Sequence, residues 1–348
     1  MKELIMTSCQ GLRRFNHRRG VTLADVFVSI GVIGIIAALI VPAVQQAREN
    51  SRVLQCRSNL KQLGLASQSH LATKAEQLPY TATNAIDSRG RRLLASISPH
   101  RNLLEFLGYS TLAERLRLDS SSVNDTQYPP TFHDAAVQEL LSVRISVFLC
   151  PSDVQRPGAT NYRSNMGFGP GLYAAGRRAI GGFNGNVSGA FVHGRSTRPS
   201  EFSDGLSNTI LFSEKLIGDG DPSNFAAQRD FFFASNFPIT TADDAIHACG
   251  PLARPGSMHA SYCGWTWIFG GWNSTWYNHV LPPNSKVSDC SAGTYAMAGG
   301  GSGAYSARSL HTGGVIVVSV DGSARFVSSQ IDLAVWRNLS SRREINSP

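Results

Sequence analysis

Between Arg18 and Val44 the chain reads RRGVTLADVFVSIGVIGIIAALIVPAV, an almost unbroken apolar run with two arginines ahead of it and a single acid, Asp25, near its start. Coiled as a helix, residues 21–44 would reach about 36 Å, longer than the ~30 Å of a bilayer's hydrocarbon core. The run therefore predicts a membrane-inserting helix. Lys2, Arg13, Arg14, Arg18 and Arg19 precede it against the lone Glu3. That bias predicts a single crossing of the cytoplasmic membrane, with a cytoplasmic N-terminus and an extracytoplasmic C-terminal part. An ionised acid in such a helix costs about 2.5–3.5 kcal/mol at the bilayer centre and is usually paired. The nearest partner for Asp25 is an α-amino group; the plainer alternative is a signal anchor that tolerates one polar residue near the interface.

The apolar run offers only Val41-Pro42-Ala43 as a poor small-residue cut site behind it, whereas a secretory signal is cut after its apolar region. Arg19-Gly20-Val21-Thr22-Leu23-Ala24-Asp25 instead resembles a prepilin cleavage site, at which the cut falls before the run. The resemblance implies loss of residues 1–20, methylation of the new N-terminus at Val21 by a prepilin peptidase, and pairing of Asp25 with a neighbouring subunit's N-terminus. Two positions depart from the family, which usually has Phe at Val21 and Glu at Asp25.

The rest of the chain has the composition of a folded protein. Hydrophobic residues make up 42% and charged residues 16%, and there are 33 glycines, which favours a loop-rich, strand-rich exterior domain. The formal charge of +8 is carried in large part by the leader. What remains is too dispersed to imply nucleic acid as a partner.

Past the apolar run, Val53, Leu60, Leu63 and Leu65 recur at roughly helical spacing, which extends the helix to about Ala72 with bends expected at Pro42 or Gly64; a separate helix after a break at Pro42 is the alternative. A leucine stripe predicts a second helix from Arg101 to Leu118, and a short helix from His133 to Leu141 precedes a strand-like Ser142–Leu149. Near the C-terminus, β-branched Val315–Val320, Asp321-Gly322 and Ala324–Val327 predict a hairpin closed by a type I′ turn, and Asp332–Leu339 a helix anchored by Trp336.

Several segments resemble, in order and spacing, a large bacterial family that joins a prepilin-type segment to a C-terminal domain of unknown function. They are Gln55-Cys56-Arg57-Ser58-Asn59-Leu60-Lys61-Gln62-Leu63-Gly64-Leu65-Ala66; Phe148-Leu149-Cys150-Pro151-Ser152-Asp153 followed by Thr160-Asn161-Tyr162; Asp204-Gly205-Leu206-Ser207-Asn208-Thr209-Ile210 with Glu214; and His311 separated by nine residues from Asp321-Gly322. The family brings no known biochemical activity. Of the six cysteines, Cys9 lies in the leader and the remaining five cannot all pair. The resemblance favours a Cys56–Cys150 bridge, Cys249 with Cys263 would close a short loop and leave Cys290 over, and buried free thiols are the alternative.

Other chemistry is weakly signalled. The glycine-rich 161–193 stretch has neither the lysine nor the placement of a phosphate loop. Asp204, Asn208 and Glu214 have the oxygen donors calcium takes, but turn formation already accounts for the first two. His247, Cys249, His259 and Cys263 match no common zinc spacing, and Gly300-Gly301-Ser302-Gly303-Ala304 fails the G-x-S-x-G hydrolase pattern at its last position. Local hydrogen bonding is the favoured role for His311. Trp265, Trp267, Trp272 and Trp276 would stack on a glycan or peptide if exposed, or form core if buried.

The expected fold is α+β and pilin-like: a long N-terminal helix, membrane-spanning over residues 21–44 and amphipathic over 45–72, packed on a mainly antiparallel sheet in an extracytoplasmic domain of residues 73–348, with a large β-rich insertion before the hairpin near 315–327. The expected function is that of a pseudopilin or minor-pilin-like structural subunit, not an enzyme. It is processed by the peptidase and either anchored in the inner membrane or assembled through its N-terminal helix with like or related subunits, surface assembly being one outcome. The alternative is a membrane-tethered module that recognises an envelope glycan or peptide. No metal or cofactor is expected.

Overall fold

The computed structural model describes residues 22–81, 85–86, 92–93, 97–116, 123–124, 131–132, 139, 142–169, 188–193, 195–234, 241–250, 258–292 and 302–343. Gly20, Val21 and the predicted His133–Leu141 helix, apart from Glu139, lie outside them. The chain divides into two units, with the boundary in sequence after Asn50.

The first unit is the opening of helix α1, Leu23–Thr73. Thr22 and Asp25 start it reciprocally. The Thr22 N–H and hydroxyl donate to Asp25 Oδ2 at 3.0 and 2.7 Å, and the Asp25 N–H donates to Thr22 Oγ1 at 3.3 Å. This is a capping box with Asp in the usual place of Glu. Pro42 lies inside the helix, where its missing N–H leaves one carbonyl of the preceding turn without a helical donor. Leu23, Phe27, Ile33 and Leu39 are exposed, and the helix is long and apolar enough to cross a membrane.

In the second unit the same helix buries Cys56, Asn59, Leu60, Leu63, Gly64, Ser67, His70 and Leu71, a stripe at three- and four-residue spacing. Leu65, counted in the stripe on sequence, points outward and is half exposed. Two residues from Leu63 is about 200° around a helix, which takes it off the buried face.

Four strand groups follow. Strands β1 (Ala85–Ile86) and β2 (Arg92–Leu93) form one antiparallel ribbon, and β3 (Val123–Asn124) and β4 (Thr131–Phe132) another. The main sheet contains β5 (Tyr162–Asn165), β6 (Ile210–Glu214), β9 (Trp276–Tyr277), β12 (Gly314–Ser319) and β13 (Ala324–Ser328) in the order β13-β12-β6-β5-β9, antiparallel except between β5 and β9. A second sheet, ordered β11-β10-β7-β8, is built from β7 (Phe231–Ala234), β8 (His259–Ala260), β10 (Asp289–Ala292) and β11 (Ser302–Ala304); only β10 and β7 run parallel. The architecture is α+β with two mostly antiparallel sheets. The second sheet comes from the stretch between β6 and the terminal hairpin.

Alternation along β12 shows how the main sheet is covered. Ile316 and Val318 join the core that contains Leu60 and Leu63 of α1, while Val315 and Val317 join Trp336 of the Leu333–Asn338 helix. Both faces are buried, so the strand reads as a continuous apolar run rather than an alternating one. Trp336 is further fixed by its Nε1–H donating to the Leu281 carbonyl at 2.9 Å and by stacking on His279 at 3.8 Å.

Three local expectations need correction. The Arg101–Leu118 helix is two helices, Pro99–Leu103 and Ser110–Arg115, joined by a 3₁₀ turn that ends at left-handed Gly108 (φ +84°); a left-handed glycine terminates a helix whatever the leucine spacing around it. Ser142–Leu149 is not a strand: it contains the 3₁₀ turn Ser146–Phe148. The hairpin turn is not type I′, which needs positive φ at both central residues. Gly322 is left-handed (φ +84°) but Asp321 is not. Gly322 N–H donates to Ser319 O, and Ser319 N–H to Ser323 O, both at 2.9 Å, which is a three-residue loop whose glycine supplies the left-handed position.

Candidate functional site

The segments singled out in the sequence meet where α1 lies on the main sheet. Cys56 of α1 is bonded to Cys150, which follows the Ser146–Phe148 turn. Asn161, at the entry to β5, holds that turn: its Oδ1 accepts the Cys150 N–H at 2.9 Å, and its Nδ2 donates to Asp153 Oδ2 at 2.7 Å. Asn59, one turn along α1 from Cys56, donates to the Leu149 carbonyl at 2.8 Å and to the Tyr162 hydroxyl at 3.3 Å. The helix is thus joined to the Cys150 loop covalently and by hydrogen bonds.

Beside the bridge sits a buried acid–imidazole pair. Glu214, the last residue of β6, places Oε1 3.2 Å from His311 Nε2, and its Oε2 accepts the Ile316 N–H at 2.8 Å. His311 precedes β12, and its N–H donates to Ser309 Oγ at 3.1 Å. The same His311 Nε2 lies 3.6 Å from Cys150 Sγ. Burial pushes the Glu214 carboxyl above its ordinary range against the hydrogen bond and charge of His311. Burial likewise raises the Tyr162 hydroxyl well above its usual range, and the Glu214 charge adds to this.

The arrangement is not that of a catalytic triad. In a catalytic triad the imidazole faces acid and nucleophile with different nitrogens. Here one nitrogen faces both, and the sulfur is tied in a bridge. What converges instead is four donor atoms, from Cys56, Cys150, Glu214 and His311, within 4.8 Å of one another; among the described residues this is the only such group of three or more His, Cys, Asp or Glu.

The other singled-out residues have structural roles. Asp204 and Gly205 (φ +91°) form a turn closed by Asn208 Nδ2 donating to the Asp204 carbonyl at 2.9 Å. This loop is stitched to the hairpin: Val320 N–H donates to Thr209 O at 2.9 Å and Asp321 N–H to Leu206 O at 3.2 Å. Asp321 Oδ1 accepts from the Ser323 N–H and hydroxyl, while Gly322 packs against Gly64 of α1. Glu214 is committed to His311 and Ile316 and does not gather with Asp204 and Asn208.

One site expectation is corrected, and of the two roles open to the tryptophans core packing is the one found for three of them. Cys249 pairs with Cys290, not Cys263, because the Ala242–Cys249 helix packs on the second sheet at β10; among the described residues Cys263 is the free thiol, buried and with its pKa pushed up to about 11 by that burial. Trp267, Trp272 and Trp276 are buried and cannot stack on a ligand from solvent. Trp272 stacks on Tyr305 at 4.7 Å and meets Trp276 edge-on at 5.7 Å, while Trp265 is capped by the Arg156 guanidinium 3.2 Å from its ring.

Sequence reasoning missed a buried ionic network beside this junction. Lys215 and Arg308 both pair with Asp289; Lys215 also donates to Ser306 O at 2.9 Å, and Arg308 Nη2 to Asp289 Oδ1 at the same distance. The two cations hold the Asp289 carboxyl down at about 2 against its burial, and burial pulls Lys215 down to about 8. Charged residues scattered between positions 215 and 308 carry no periodic or motif signal. Asn59, Asn161 and Tyr162 did carry one, since each stands inside a quoted segment.

No curated protein and no solved structure matches the chain. A family model does match, over residues 45–334, and it covers α1 from Gln45 onward, both sheets and every residue of the Cys56–Cys150–Glu214–His311 group. The chain belongs to the family described as Protein of unknown function (DUF1559).

Proposed function

We propose that this protein is a pseudopilin or minor-pilin-like structural subunit of the cell envelope rather than an enzyme. One observation carries the reading: a single helix has an exposed apolar half of membrane-spanning length and a second half that is part of a domain's core, disulfide-bonded at Cys56. A helix that only tethers a binding module has no need to supply that core. In this reading a prepilin peptidase cuts between Gly20 and Val21, the helix stays in the inner membrane with its N-terminus cytoplasmic, and the disulfide-bonded domain stands outside, where oxidation is permitted. Asp25 receives both Thr22 bonds on Oδ2, which leaves Oδ1 to accept from the N-terminus of a like or related subunit. The glycan- or peptide-binding alternative loses its main support with the burial of three of the four tryptophans.

Intact-mass and N-terminal analysis of the protein extracted from membranes tests the proposal. A chain beginning at N-methylated Val21 is expected. A retained leader, or a start after Ala43, overturns it.

A further inference from the structure

We propose that the Cys56–Cys150 bridge has a second state: when reduced, its two sulfurs join Glu214 Oε1 and His311 Nε2 as the four ligands of a zinc-class divalent cation.

The geometry points to one locus rather than to a chain of contacts. His311 Nε2 lies 3.2 Å from Glu214 Oε1 and 3.6 Å from Cys150 Sγ, and the four donor atoms lie within 4.8 Å of each other. A tetrahedral zinc site with bonds of about 2.0–2.3 Å spaces its ligands about 3.3–3.8 Å apart, so the His311 gaps to Glu214 and Cys150 are already close to the required size, while the two sulfurs must separate and the widest gaps close by up to about 1 Å. All four residues are buried, which matches a closed structural site. The outer contacts are also in place. Glu214 is oriented by the Ile316 N–H on its other oxygen, and the Cys150 N–H is held by Asn161 Oδ1, so two ligands are fixed by groups that do not touch the metal.

The exchange balances with a dithiol as reductant. Two electrons pass from the dithiol sulfurs to the Cys56–Cys150 bond, which breaks; the dithiol's two protons go to the freed cysteine sulfurs, and the dithiol closes to its own disulfide. Cation binding then displaces those two protons to solvent. Each thiolate gives a lone pair, as do the neutral His311 Nε2 and the ionised Glu214 Oε1. Burial makes loading a folding-coupled event, as for other structural zinc sites.

The test uses the full-length chain in detergent, reduced with excess dithiol, unfolded, freed of reductant anaerobically and refolded with cobalt(II) alone. One tightly bound equivalent is expected, with thiolate-to-cobalt charge-transfer absorption and tetrahedral d–d bands. Zinc should displace it, and His311→Ala, which removes one of the four ligands, should weaken it by more than the roughly tenfold that loss of an outer contact costs. Because His311→Ala can impair folding, X-ray absorption of the zinc-loaded wild type provides a readout free of variants. Two sulfur and two nitrogen or oxygen neighbours are expected. A shell of any other composition, or failure of the refolded reduced protein to bind cobalt, overturns the proposal.

Discussion

Gly64→Ala sets two effects against each other whose sizes can be worked from the structure. In a helix, Ala is favoured over Gly by about 0.8–1.0 kcal/mol. Here the new methyl would lie 2.7 Å from Val318 Cγ2, 2.9 Å from Gly322 Cα and 3.3 Å from Gly322 O. Val318 is fully buried in β12, and Gly322 is backbone held at φ +84°, so neither can swing aside as a flexible side chain would. Overpacking of this kind costs about 1–3 kcal/mol. The clash wins, with a net loss of about 1 kcal/mol. All five tryptophans lie between Trp265 and Trp336, so tryptophan fluorescence follows unfolding of the second unit alone. At about 2–4 °C per kcal/mol, the expected fall in Tm is roughly 2–4 °C. Val318→Ala removes the nearest clash but not the Gly322 contacts, so in its background the Gly64→Ala penalty should shrink without vanishing. A Gly64→Ala chain as stable as wild type would refute the close approach of hairpin and helix.

Asp289→Asn leaves Lys215 and Arg308 buried without their carboxylate, and breaking a buried pair in this way costs about 3–5 kcal/mol; thermal unfolding should show a larger loss than for Lys215→Met, after which Asp289 keeps Arg308. The pH dependence should carry the signature of Asp230, whose carboxyl is raised to about 7 by burial. A raised acid contributes stability that is full below its unfolded value near 3.9 and is lost as pH rises through about 7. Asp230→Asn should therefore flatten Tm against pH between about 4 and 7, and an unchanged slope would show that another group carries it.

The parts legible in sequence were those specified by local spacing. The apolar run and the recurrence of Val53, Leu60 and Leu63 pointed to α1, with Leu65 alone misplaced on its buried face, and the valines from Val315 to Val320 with Asp321-Gly322 pointed to the hairpin. Where long-range packing decides, local pattern misled. Leucine periodicity ran straight through Gly108, whose left-handed backbone ends the helix. Cys249 looked nearest to Cys263 along the chain, yet the packing of its helix on β10 selects Cys290. Trp267, Trp272 and Trp276 could be surface or core on composition alone, and tertiary packing decides for core, while Trp265 stays half-buried beneath Arg156. The acid–imidazole–sulfur cluster draws on positions 56, 150, 214 and 311, too far apart for any spacing rule, although each stood in a segment already marked by resemblance.

Those segments now share one physical explanation. Cys56 and Asn59 bind the Cys150 loop, Gly64 admits the hairpin turn, Asn161 fixes the loop from β5, Asp204 to Thr209 brace the turn from outside, and Glu214 and His311 fill the space beside the bridge. A pattern spread over more than two-thirds of the chain thus describes one junction, where a helix is fastened to a sheet by a covalent bond, a close backbone approach and buried polar contacts. Most of it needs no ligand to be understood. Glu214 and His311 are the exception, because a disulfide packs equally well against apolar side chains, and burying a carboxyl and an imidazole beside it carries a desolvation cost that apolar residues would not. Their presence is where a purely structural account of the junction stops and the redox-linked cation site begins to explain something it does not.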